Sequence, residues 1–108
     1  MAELGLARLY EIQREIHAKY DHLWGGLRPE VGKQQLLWML AEAGEVADVM
    51  KKQGDAAITE AGPARAHFVE EMCDVLMYFT DVLLCYDVSP QEFTQAYLAK
   101  HARNLERW

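Results

Sequence analysis

Two stretches of this chain place carboxylates where a helix needs its core. Residues 37–50 read LWMLAEAGEVADVM, a run apolar enough for a buried helix, yet Glu42 and Glu45 stand inside it. The pattern returns at residues 69–79 as VEEMCDVLMYF, with Glu71 and Asp74 among Val69, Met72, Val75, Leu76 and Phe79. Within each pair the acids are one helical turn apart, so both side chains leave the helix on the same side. At about 100° per residue, Glu42 and Glu45 share a face with Trp38 and Val49, and Glu71 and Asp74 share theirs with His67, Tyr78 and Val82. Facing one another, the two helices would bring four carboxylates together between apolar walls. Desolvation and mutual repulsion penalise such a cluster. A hard divalent cation removes the conflict, and all-oxygen ligation selects Mg²⁺, Mn²⁺ or Ca²⁺ over zinc. The plainer alternative is a pair of amphipathic helices whose acids face water. Two acidic pairs, both inside apolar runs, argue against it.

Glycine and proline punctuate the rest of the chain into helices. The spacing predicts a first helix over about residues 2–22, with Leu6, Leu9, Ile12, Ile16 and Tyr20 recurring along it. Gly25-Gly26 stops it, and Pro29 suits the opening turn of a second helix over about 30–53, closed by Lys51, Lys52 and Gly54. Residues 55–62 read as a loop, and Pro63 opens a third helix that continues to about residue 86. Ser89-Pro90-Gln91-Glu92 is a capping box with proline at the first helical position, starting a fourth helix that reaches 103 or beyond. No strand pattern competes. The second and third helices, each about 36 Å long, should pair antiparallel across the short loop. The expected fold is one all-α, bundle-like domain over residues 1–108.

With 108 residues, 51% of them hydrophobic, the chain can build one modest core and no second one. A formal charge of −6 argues against a nucleic-acid polymer as partner and is compatible with a cation site. The N-terminus has no continuous apolar segment of the signal-peptide kind, and no run nears the roughly 18 apolar residues of a membrane span. A cytoplasmic protein is expected. Cys73 and Cys85 fall about 18 Å apart on one predicted helix, too far for a disulfide, and read as buried structural thiols. Di-iron bundles also gather glutamates, but they need a Glu-x-x-His motif on two helices. None of His17, His22, His67 and His101 has an acid three residues before it.

EAGE at 42–45 followed by EMCD at 71–74 resembles the ExxE…ExxD signature of the MazG-like, all-α nucleoside triphosphate pyrophosphatases, the superfamily of the dCTPases and all-α dUTPases. The apolar LLWML before EAGEVADV agrees, as does Tyr78 four residues after Asp74. Near the C-terminus KHARNLERW resembles the family's KxxxNxxRW/Y element, matching at Lys100, Asn104, Arg107 and Trp108. The resemblance runs from about Leu6 to Trp108. It implies magnesium-dependent cleavage of a nucleoside triphosphate to the monophosphate and pyrophosphate, with manganese a possible substitute. It also implies a house-cleaning role in the nucleotide pool, and assembly as a homodimer or a dimer of dimers.

The residues suit that chemistry. Phosphoryl cleavage needs cations on the phosphate oxygens and an oriented water. Glu42, Glu45, Glu71 and Asp74 are the candidate ligands and catalytic groups, with Glu42 the candidate to orient or deprotonate the water. Lys100 and Arg107 offer positive charge to the phosphate tail and Asn104 a neutral donor between them, all on one helix face. Trp24 and Trp38 are candidates to stack on a base, and Tyr78 to reach the sugar or a phosphate. A competing class is a non-enzymatic helical dimerisation or regulatory module, whose acidic stripes bind a basic partner.

Overall fold

In the computed structural model, which describes residues 3–107, the regular elements are all helices: α1 Leu6–Trp24, α2 Pro29–Gln53, α3 Asp55–Thr59, α4 Pro63–Cys85 and α5 Pro90–Arg107. The all-α expectation is met. Most of the predicted punctuation works as read. Gly25 takes the left-handed conformation (φ 79°) and donates its N–H to Asp21 O at 2.9 Å, ending α1. Ser89 Oγ accepts from the Glu92 N–H at 3.0 Å, the hydrogen bond that the capping box requires. The first helix begins at Leu6, and residue 2, its expected start, lies outside the described residues.

One segment differs. Residues 55–62 were expected to be a loop, but Asp55–Thr59 form the short helix α3. The Arg65 guanidinium donates to the carbonyls of Ile58 and Thr59 at 3.1 and 3.2 Å, so α4 caps the end of α3. That contact spans six or seven residues, beyond the reach of local propensity.

The α2–α4 pair is the backbone of the molecule. Gly32, near the start of α2, lies against the Tyr86 ring just past the end of α4, while Glu42 and Glu45 midway along α2 meet Glu71 in α4. The two helices are therefore antiparallel. A Cβ on Gly32 would sit 2.6 Å from Tyr86 Cζ, so the bare backbone is what permits this approach.

Helix α1 also packs on α4, with a face the periodicity did not select. Its buried residues are Tyr10, Gln13 and His17, whereas Ile16 is exposed and Leu6, Leu9, Ile12 and Tyr20 are half-buried. The reason is polar. Gln13 Nε2 donates to Asp81 Oδ1 at 2.7 Å, His17 Nε2 lies 3.0 Å from Asp81 Oδ2, and Tyr10 Oη donates to Val88 O at 2.6 Å. Burying Asp81 on α4 demands these partners, and they set the rotation of α1.

The fold leaves much apolar surface outside. Leu37, Trp38 and Leu40, in the run read as a buried helix, are exposed, as are Leu36 and, on α4, Val69, Met72 and Leu76. A helix gripped on one side shows its other side to solvent. Cys85 is buried as expected, but Cys73 is exposed on that outer face of α4, and the two remain free thiols. Helix α5 touches α1, and its Phe93 meets Phe79 edge-on at 5.6 Å, but it does not run beside α2 or α4. Accessible surface totals 8133 Å², against about 6,100 Å² for a compact 12.4 kDa monomer. The radius of gyration is 16.2 Å, where about 13 Å is usual for this length.

Candidate metal centre and adjoining cavity

Midway along the α2–α4 pair, Glu42, Glu45 and Glu71 each bring a carboxylate oxygen to within 4.8 Å of the others. The i,i+3 spacing in α2 and the antiparallel register of α4 produce this meeting, as the sequence suggested. Glu42 and Glu71 are half-buried and Glu45 is exposed. Asp74 stands outside the trio but acts electrostatically on Glu42. Burial pushes the Glu42 carboxyl above its ordinary range, and the negative charges of Glu45, Asp74 and Glu71 push it further. The neighbouring charges that act on it are all carboxylates.

Two oxygens make the case for a cation. Glu42 Oε2 and Glu71 Oε2 are both out of water and make no hydrogen bond within the chain. Buried carboxylate oxygens of this kind ordinarily have donors or a metal. Among the described residues the facing groups are more carboxylates, so the donor set fits a hard, oxygen-seeking cation. His67, unassigned in the sequence, reaches the rim, with Nε2 3.2 Å from Glu71 Oε1 one turn away. The i,i+4 spacing was the signal for that contact.

Beside the carboxylates is a cavity of about 470 Å³. Its origin is simple: α1 and α2 both pack on α4 but do not pack on each other, and the gap between them is floored by α4. Trp24, Trp38, Asp74 and Tyr78, four of the candidate site residues, line it together. Burial raises the Tyr78 hydroxyl first, and the charges of Glu42, Asp81, Asp74 and Glu45 add to that, so it is a neutral donor beside the acidic cluster.

The sequence did not point to the Gln13–Asp81–His17 network, which forms part of the same wall. Asp81 is 3% exposed and His17 6%. Burial raises the Asp81 carboxyl, while hydrogen bonds from Gln13 and His17 and the charge of His17 pull it down. Spacing within one helix could not reveal a pairing that spans two.

The basic element is not brought to the carboxylates. Lys100 and Arg107 are exposed and Asn104 is half-buried on α5, which lies alongside neither α2 nor α4. Trp108 lies outside the described residues. Among the described residues, no helix is long and apolar enough to cross a membrane. No family model matches the chain, and no curated protein or solved structure matches it either.

Proposed function

We propose that this chain is a cytoplasmic, divalent-cation-dependent nucleoside triphosphate pyrophosphohydrolase. It would convert (d)NTPs to monophosphates and pyrophosphate, in the manner of the MazG-like enzymes whose motifs it resembles. The observation that carries this reading is the convergence of Glu42, Glu45 and Glu71, two of them with orphaned buried oxygens, beside an aromatic-lined cavity. Glu42, Glu45 and Glu71, with Asp74 adjoining, fit Mg²⁺ or Mn²⁺. When bound, such a cation supplies positive charge to the phosphate oxygens and acidifies water.

The chain's own groups divide the remaining work. Glu42, its carboxyl raised by burial and like charges, is the group suited to take a proton from the attacking water. Trp24 and Trp38 offer ring faces to a base, and Tyr78 a hydroxyl to the sugar or a phosphate. Lys100, Asn104 and Arg107 serve the outgoing tail. Because α5 does not lie beside the carboxylates of its own chain, the reading includes a second copy. In a homodimer, or a dimer of dimers, the α5 of one subunit closes on the site of its partner and completes the bundle. The excess surface and the exposed apolar faces of α2 and α4 support that assembly. They also favour the runner-up, a helical dimerisation module without activity.

A panel of (d)NTPs with Mg²⁺ separates the two. Pyrophosphate should be released, and Glu71→Ala or Asp74→Ala should reduce turnover at least about 100-fold while helicity persists. Orthophosphate as the first product, or no turnover of any member, would remove the hydrolase.

A further inference from the structure

The chain treats the two oxygens of Glu71 differently. Oε1 lies 3.2 Å from His67 Nε2, one helical turn back along α4, whereas Oε2 is out of water and meets no donor. Glu42 on α2 has an orphaned Oε2 of its own. The oxygen that Glu71 keeps for a cation is therefore Oε2, and His67 holds the other one.

Chemistry fixes the direction of this hydrogen bond. A carboxylate accepts, so Nε2 donates, and it does so both as the neutral Nε2–H tautomer and as the imidazolium. Helical side chains lean toward the preceding turn, which brings the Glu71 carboxylate back over the turn that carries His67. Without a donor there, repulsion from Glu42 and Glu45, whose oxygens lie within 4.8 Å, would favour rotamers that swing Glu71 away. The His67 side chain is 53% exposed and that of Glu71 18%. A contact so open to water adds little to stability. It does restrict a side chain that otherwise turns about three bonds. The imidazole also stands outside the group of converging ligand atoms, and a nitrogen that donates to Oε1 has no lone pair left for a metal.

We propose that His67 is a positioning residue of the metal centre: its N–H grips Glu71 Oε1 and so presents Oε2 to the cation. The proposal rests on the reading of Glu42, Glu45 and Glu71 as that centre.

The test titrates the full chain with Mn²⁺, reading the free ion by electron paramagnetic resonance and helicity by circular dichroism. His67→Ala should weaken binding about tenfold or more, the scale of loss when a partner of a metal ligand is removed. Alanine is the better helix former, so fraying does not account for such a loss. Nor does charge, because losing an imidazolium would strengthen cation binding. His67→Gln should recover most of the affinity, since its amide N–H reaches the same oxygen at i,i+4. Electron spin echo spectra of the wild-type Mn²⁺ complex should show no coordinated imidazole nitrogen. A coordinated nitrogen, or a glutamine variant no better than the alanine one, would overturn the proposal. Saturable wild-type binding that His67→Ala leaves unaltered would sink it alone and spare the metal centre. No saturable binding by the wild type would remove the centre itself, and the proposal with it.

Discussion

Glu42 is where the conflict between folding and function is sharpest. Burial first, then the charges of Glu45, Asp74 and Glu71, hold its carboxyl above the ordinary range. A carboxyl raised in the folded state binds its proton more tightly there than in the unfolded chain. Its contribution to stability is therefore present in full below the ordinary glutamate range and is lost as pH rises through the raised value. Asp81, raised by its burial, acts in the same direction. Metal-free protein should melt at a lower temperature at pH 7 than in mild acid, and Mg²⁺ should restore much of the difference at pH 7. Glu42→Gln removes one charge from among three like neighbours. It should stabilise the metal-free protein by about 0.5–1 kcal/mol, or a few degrees of melting temperature, and weaken the response to Mg²⁺. A variant that melts lower than the wild type without metal would show that Glu42 is held by favourable partners, contrary to this account.

At the scale of elements, α5 is the helix whose position most needs explanation. Tyr97 is 65% exposed and Leu105 72%, with Leu98 close behind, on a helix whose Phe93 meets Phe79 of α4. Replacing Tyr97 and Leu98 by lysine should therefore leave helicity intact and change monomer stability by no more than about 0.5 kcal/mol each. Self-association, followed by sedimentation, should weaken. A large loss of stability in dilute protein would mean that these side chains serve the monomer. The helices themselves were legible because glycine, proline and the Ser89 capping box are local signals, and so was the meeting of Glu42, Glu45 and Glu71, which follows from spacing plus one antiparallel turn. The rotation of α1 was not legible. Leu6, Leu9, Ile12 and Ile16 make the better apolar stripe, but a buried Asp81 on another helix recruits Gln13 and His17, and single-helix periodicity carries no trace of that. Apolar runs such as LLWML were misplaced for a related reason: the pattern says that a residue avoids water, not whether its own chain or another one covers it.

For the whole molecule, the surface excess of about 2,000 Å² over a compact monomer is the size of loss that association makes good. The acidic centre on α2 and α4 and the basic element on α5 lie apart within one chain, so under the proposed function an active unit would take them from two. Lys100→Ala and Glu71→Ala should each be inactive alone. Mixed and allowed to exchange subunits, they should recover about a quarter of wild-type turnover, since half the dimers then hold one intact site. No recovery from subunits shown to exchange would place both elements in the same chain's site. All of this depends on the carboxylates being a metal centre, and titration with Mn²⁺, followed by electron paramagnetic resonance of the free ion, tests that most directly. The wild type should bind Mn²⁺ saturably, Mg²⁺ should compete, and Glu71→Gln should lower the affinity at least about tenfold with the helices unchanged. Weak, unsaturable binding that Glu71→Gln leaves unaltered would contradict the account at its centre.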